Sequence, residues 1–274
     1  MTPVPVTPQQ RAELAGRLRA AGCVFAEDEA ALLIEAAASP AELETLTGRR
    51  VAGLPLEQVV GWAEFCGLRI TVTPGVFVPR LRSEFLVAQA VARSPRPHPV
   101  VLDLCCGTGA VGLAVALAVQ AAELHAADIE PAAVACARRN LAAAGGQVYA
   151  GDLDEPLPAA LRGRVDLLTA NAPYVPSTEI GLLPAEARLH EPLVTLDGGA
   201  DGTQVQQRIA ALAPRWLAPG GWLLIETSER QAGTTAAAMT ASGLTAQILA
   251  SAEIDATVVA GTVIAGTAVA GTAG

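Results

Sequence analysis

The sequence contains no lysine. All 18 basic residues are arginines, set against 27 acidic ones for a net charge of −9 over 274 residues. That balance repels a polyanion unless the arginines gather on one face, so general nucleic-acid binding is disfavoured. Aromatic side chains are also scarce, at 3% of a chain that is 51% hydrophobic. The apolar content is mostly Ala, Val and Leu, which suits a core of small aliphatic groups and not a membrane protein. The N-terminus MTPVPVTPQQ has neither the basic segment nor the apolar stretch of a signal peptide. A cytoplasmic, monomeric protein without membrane attachment is expected. The five cysteines (Cys23, Cys66, Cys105, Cys106, Cys136) are odd in number and none pair at a zinc-site spacing, while His98, His125 and His190 are scattered. Reduced thiols and no metal centre are the expectation.

What is present falls into blocks. Helical periodicity runs from residue 8 to 50, through RAELAGRLRAAG, EDEAALLIEAAA and PAELETLTGRR. WAEFCGLRITVTPGVFVPR then alternates in the manner of short strands, with Cys66-Gly67 as the turn. SEFLVAQAVARS reads as a helix capped by Ser83 and stopped by SPRPHP. From Pro99 onward apolar strands alternate with helices, the signature of a parallel sheet covered on both faces. An irregular segment, 172–202, interrupts the alternation, and LTAQILAS with ATVVAGTV closes the chain as an antiparallel hairpin at the sheet edge. The expected organisation is a helical domain over 1–61, a hairpin linker over 62–82, an α/β domain over 83–262 and a disordered Ala/Gly/Thr tail over 263–274.

The stretch DLCCGTGAVG, residues 103–112, contains G-x-G-x-x-G after a strand and before a helix. Gly107 and Gly109 would let backbone approach a ligand at the sheet's carboxyl edge, while Gly112 reads as only a small residue of the helix. Asp128, ending the next strand, could accept hydrogen bonds from a ribose. NAD and S-adenosylmethionine both carry one. Asp103, just ahead of the glycines, would repel a pyrophosphate but suits a ligand bearing an ammonium and a sulfonium. Asp152 in YAGDL, after the third strand, is placed to serve the adenine. Three strand-terminal aspartates together favour S-adenosylmethionine.

The fourth strand opens into Asn171-Ala172-Pro173-Tyr174. This tetrapeptide resembles the N-P-P-Y motif of methyltransferases acting on planar nitrogen. An amide or arylamine lone pair is delocalised, so acceptors aimed at its two N–H bonds are needed to position it and favour its pyramidal, charge-developing state. In GLRITVTPGVFVPR, DLCCGTGAVGLAVA, AADIEPAAVACARRN, GDLDEPLP, NAPYVP, HEPLVTLDGGADG and GGWLLIETSERQ, taken in order, the chain resembles the HemK/PrmC-type release factor glutamine N(5)-methyltransferases. The resemblance implies a class I S-adenosylmethionine-dependent fold, α/β and Rossmann-like with a terminal antiparallel hairpin, plus a small N-terminal helical domain that helps bind the substrate protein. It implies methylation of the glutamine amide in the Gly-Gly-Gln loop of a peptide-chain release factor.

Carried onto this sequence, Asn171 and the Ala172 carbonyl would hold the substrate amide, with Pro173 and Tyr174 shaping the glutamine pocket. Asp103, Cys105, Gly107, Gly109, Asp128, Asp152 and Asn171 would surround the cofactor. Arg80 and Glu191, matching the family's P-R and E-P elements, would face the substrate together with Asn171 and Tyr174. The chain departs from the family at Ala172 for proline, at Leu81-Arg82-Ser83-Glu84 for P-E-T-E, at Cys105 for glycine and at His190 for tyrosine. Two alternatives therefore stay open: an adenine amino-methyltransferase acting on DNA or RNA, and an inactive paralogue that binds cofactor or release factor.

Overall fold

Thr7 and Ser39 each cap a helix with a side-chain oxygen, accepting from the amides of Gln10 and Glu42, and each is followed by proline at the first helical position. These caps start α1 (Pro8–Ala20) and α3 (Pro40–Val51), which pack with α2 (Ala26–Ala36) and the short α4 (Leu56–Val60). Leu18, Ala26, Ala30 and Leu33 give this group a core of its own. A half-hidden ion pair, Arg50 Nε to Glu29 Oε2 at 2.6 Å, ties α3 to α2. The computed structural model describes residues 4–263, apart from the side chains of 185–187.

The hairpin follows as β1 (Trp62–Phe65) and β2 (Leu68–Thr71), with Phe65 opposite Leu68. Its two turn residues, Cys66 at φ 50° and Gly67 at φ 69°, are both left-handed, which matches the right-handed twist of the strands. After it come α5 (Glu84–Ala92), β3 (Val100–Leu104), α6 (Ala110–Ala118), β4 (Glu123–Asp128), α7 (Pro131–Leu141), β5 (Gln147–Ala150) and β6 (Val165–Ala170). Then α8 (Ala185–His190), α9 (Gln204–Trp216), β7 (Leu217–Thr227), α10 (Glu229–Ala241), β8 (Thr245–Ser251) and β9 (Ala256–Thr262) complete the chain.

Seven strands form one sheet in the order β5-β4-β3-β6-β7-β9-β8. β5 through β7 run parallel, while β9 lies antiparallel to both β7 and β8. Strand alternation divides the core. Val101 and Leu167 face α5, α6 and α7, whereas Val100, Leu102 and Leu168 face α9 and α10. The chain moves outward from β3 to β5 and then returns to β6 on the other side of β3, so a crevice opens at the strands' carboxyl ends.

Three details differ from expectation. Ser83 makes no cap bond to α5; it ends a 3-10 turn over Leu81–Ser83, and its hydroxyl is engaged elsewhere. Val263, just past β9, is tied to the sheet by backbone hydrogen bonds exchanged with Gly220 and Gly221. Gly112 is required by packing: a Cβ there would stand 2.8 Å from Cβ of Asp103. The expectation for residues 264–274 lies outside the described residues. No helix among the described residues is long and apolar enough to cross a membrane.

Candidate functional site

A cavity of about 740 Å³ occupies the crevice. At one end stand Asp103, Cys105, Gly107, Asp128 and Asp152; at the other stand Arg80, Asn171, Ala172, Pro173, Tyr174 and Glu191. Gly109, the remaining expected residue, lies behind the wall. It caps α6 with φ 79°, and a Cβ on it would collide with Leu141.

Asp128 organises the first end. Its Oδ2 accepts from the Gly107 amide at 2.8 Å and its Oδ1 from the Glu130 amide at 2.9 Å, so both oxygens are pinned while spare lone pairs remain. Burial raises its carboxyl above the ordinary range, and these backbone bonds pull it back. Open space surrounds the place where a Gly107 Cβ would stand, leaving room for a ligand against bare backbone. Cys105 adopts φ 53°, a left-handed conformation unfavourable to a residue with a Cβ. Burial also raises its thiol's affinity for its proton, so it stays neutral. Asp152 reaches the cavity, but it is paired with Arg208 at 2.7 Å. Any service to an adenine comes from a carboxylate already shared with that arginine.

Asp103 is held within the protein: Oδ2 accepts from the Gly112 amide at 3.0 Å and Oδ1 from the Thr169 hydroxyl at 2.9 Å. Burial pushes its carboxyl up to about 7, against those two bonds, and the Asp128 charge raises it further. Because the folded state binds this proton more tightly than the unfolded chain, the stabilisation is complete below the unfolded value and is lost as pH rises through about 7. The unfolding midpoint of the ligand-free protein is therefore expected to fall as pH rises from about 4 to about 7 and to level off above that. Asp103→Asn should flatten that slope, since an amide can accept from Gly112 and donate to Thr169. A slope unchanged in the variant would assign it to another group.

At the second end, Asn171 Nδ2 donates to the Ser83 hydroxyl at 3.1 Å. Arg80 and Glu191, predicted separately to face the substrate, are paired with each other. Arg82, the reversed charge of the Leu81–Glu84 stretch, lies 3.4 Å from the buried carboxylate of Glu226 and 5.8 Å from the centre of the Tyr174 ring. Burial pushes the Tyr174 phenol up to about 12, with the Glu226 charge adding to the effect. Backbone bonds stitch the tetrapeptide loop to the segment after α8: Val175 N–H to Leu196 O at 2.9 Å and Gly198 N–H to Val175 O at 2.9 Å.

Four residues that sequence reasoning passed over hold this frame together. Gln231 donates to the carbonyls of Tyr174 at 2.8 Å and Asp201 at 2.9 Å. Gly202 fits beneath it, where a Cβ would strike both Gln231 and the Tyr174 carbonyl. Asn140 bonds the N–H and C=O of Thr71 and the Thr108 carbonyl, each at 2.9 Å, joining hairpin, glycine loop and α7. Glu226 had a legible signal in LLIET: a charge inside an otherwise apolar central strand needs a reason.

The family described as Methyltransferase small domain matches residues 67–186. A release factor glutamine methyltransferase of Geobacter sulfurreducens is 38% identical over 201 residues, covering 72% of this chain and 69% of that protein. Another, from Mycolicibacterium smegmatis, is 40% identical over 199 residues, covering 72% and 70%. The chain belongs to the release factor glutamine methyltransferase family. One relative of a different name, a 4-amino-L-phenylalanine/4-methylamino-L-phenylalanine methyltransferase of Streptomyces pristinaespiralis, is 36% identical over 197 residues, covering 69% of this chain and 66% of that protein. Among solved structures, a methyltransferase from Pyrococcus furiosus shares the fold with a TM-score of 0.55 at 14% identity, covering 80% of this chain and 98% of that one. Membership makes this an S-adenosylmethionine-dependent methyltransferase. The cavity fits that donor: the buried acids Asp103 and Asp128 line it, Asp128 keeps spare acceptor capacity and Gly107 presents bare backbone.

Proposed function

We propose that this protein methylates the side-chain amide nitrogen of the glutamine in the Gly-Gly-Gln loop of a peptide-chain release factor. One observation carries the reading beyond family membership. The Asn171 amide nitrogen donates to Ser83, while Oδ1 has no hydrogen-bond partner among the described residues, so a residue that lines the cavity has an oxygen able to accept from a ligand there. An acceptor at that point suits a substrate nitrogen that brings two N–H bonds.

In this reading Asp128 holds the ribose, and Asp103 with the Cys105–Gly107 loop surrounds the methionine portion of the cofactor. When bound, S-adenosylmethionine supplies an electrophilic methyl group on a sulfonium. Asn171 Oδ1 and the Ala172 carbonyl accept from the two N–H bonds of the glutamine amide and turn its lone pair toward that methyl. As the N–C bond forms and the C–S bond breaks, positive charge grows on nitrogen, and both acceptors bind it more tightly than the neutral amide. The nitrogen then loses one proton to solvent. Tyr174 and Pro173 wall the glutamine chain, with the Arg80–Glu191 pair lining the same cavity and the helical group α1–α4 contributing to recognition of the substrate protein.

The test is incubation of the purified protein with S-adenosylmethionine and a release factor, followed by peptide mass spectrometry. One methyl group on the glutamine of the Gly-Gly-Gln peptide is expected. Parallel arms offer 4-amino-L-phenylalanine and single-stranded DNA. Methylation of either, with the release factor unmodified, would replace this reading.

A further inference from the structure

Three arginines line the cavity: Arg80, Arg82 and Arg208. Two of them are engaged through a terminal nitrogen, Arg208 with Asp152 at 2.7 Å and Arg80 with Glu191. Arg82 differs. It approaches the buried carboxylate of Glu226 through Nε at 3.4 Å without a hydrogen bond to either oxygen. No other described residue accepts from its guanidinium, and 45% of the side chain is exposed. Because Nε lies on the stem side, a contact there leaves Nη1 and Nη2 as a two-donor fork.

The neighbours place that fork. Arg82 precedes Ser83, whose hydroxyl accepts from Asn171 Nδ2 at 3.1 Å, and its guanidinium carbon stands 5.8 Å from the centre of the Tyr174 ring. Arg82, Asn171 and Tyr174 therefore share one part of the cavity. A guanidinium against an aromatic face is attracted by the ring while its N–H groups stay free to bond in their own plane.

Two parallel N–H donors match the two oxygens of a carboxylate, and charge-assisted pairs of that geometry are the strong ones. A neutral carbonyl gains less there, and a cationic group is repelled. Glu226 behind the arginine offsets its field at long range, so discrimination comes from the short contact. The P-E-T-E element of the family has a glutamate at this position, so the chain reverses the charge that an acceptor meets beside Asn171.

We propose that Arg82 is a specificity-determining residue of the acceptor site, binding a carboxylate that the acceptor carries near the nitrogen held at Asn171. Two sources share this chemistry: an acidic side chain flanking the methylated glutamine, and the α-carboxylate of a free amino acid. The proposal rests on Asn171–Tyr174 as the acceptor site and adds a second recognised group to it.

The experiment measures binding by calorimetry to the full chain saturated with S-adenosylhomocysteine, so that no turnover is needed. The probes are acetylated, amidated glutamine peptides with Asp, Asn or Arg before or after the glutamine, and 4-amino-L-phenylalanine beside its carboxamide. The acid of at least one pair is expected to bind about 10-fold tighter than its amide, with the Arg peptides weakest. Arg82→Gln should erase the preference by weakening only the acids, Arg82→Glu should invert it toward the Arg peptides, and Arg82→Lys should keep part of it. Each result is a ratio between probes on one protein, so a variant that only loses stability leaves it unchanged. Equal binding of acid and amide by the wild type, a preference that survives in Arg82→Gln, or no binding of any probe overturns the proposal. Methyl transfer to a release factor is scored separately. A preference confined to the 4-amino-L-phenylalanine pair, or acid binding without any methylated glutamine, keeps the Arg82 assignment and removes the release-factor reading.

Discussion

Asn171→Ala is expected to lower kcat for methyl transfer to a release factor by about 10²- to 10³-fold, the usual cost of removing one preorganised group from a developing charge. Cofactor affinity should stay near wild type, because Asp128 and the glycine loop keep their own backbone bonds when Asn171 is truncated. The effect is large for a physical reason. An amide nitrogen is a poor nucleophile, so the rate depends on stabilising a geometry that the free substrate rarely adopts. The truncated side chain also frees Ser83, whose hydroxyl then has no partner on the cavity side. Steady-state kinetics paired with calorimetric cofactor titration checks both halves of this expectation. A variant turning over at the wild-type rate would remove Asn171 from the acceptor role.

Asp128→Ala should produce the opposite split. Losing the carboxylate removes the proposed ribose acceptors and orphans the amides of Gly107 and Glu130, which it holds at 2.8 and 2.9 Å. Hydrogen bonds to a charged group are worth about 1.5–3 kcal/mol each, so cofactor Kd should rise by about 10²-fold or more. At saturating cofactor, kcat should return to within a few-fold of wild type, since the acceptor end is untouched. Because Asp128 is 7% exposed and holds the loop in shape, the unfolding midpoint should drop as well. Calorimetry gives the affinity and scanning fluorimetry the stability; an unchanged Kd would show that the ribose is held elsewhere.

The two variants divide the cavity along a line that was readable in the primary structure. Strand-terminal aspartates and a glycine turn mark the proposed donor end, and Asn171–Tyr174 the proposed acceptor end, because each motif is local and its chemistry is carried by a few adjacent residues. The alternation of strands and helices likewise announced a parallel sheet, and the closing hairpin was visible in its β-branched runs. Reading failed where a residue's role depends on a distant partner. Ser83 looks like a helix cap from its neighbours, yet its hydroxyl serves Asn171, 88 positions away. Gly112 looks incidental until Asp103 is placed against it. Arg82 looks like a disruptive charge reversal until Glu226, far along the chain in β7, is found beside it.

By itself, then, the sequence determined the fold class and the methyl donor, and it named residues that the fold brings to one cavity, since hydrophobic period, turn chemistry and contiguous motifs are written in neighbouring residues. Only the tertiary structure decided how these residues are held: Asp152 shared with Arg208, Arg80 paired with Glu191, Gln231 clamping the tetrapeptide loop, Arg82 beside Glu226, and Ser83 bonded to the Asn171 amide. These are orientations of single polar groups between elements remote in sequence. They are set by which strands and helices the sheet brings side by side, a consequence of packing the whole core that no local pattern encodes.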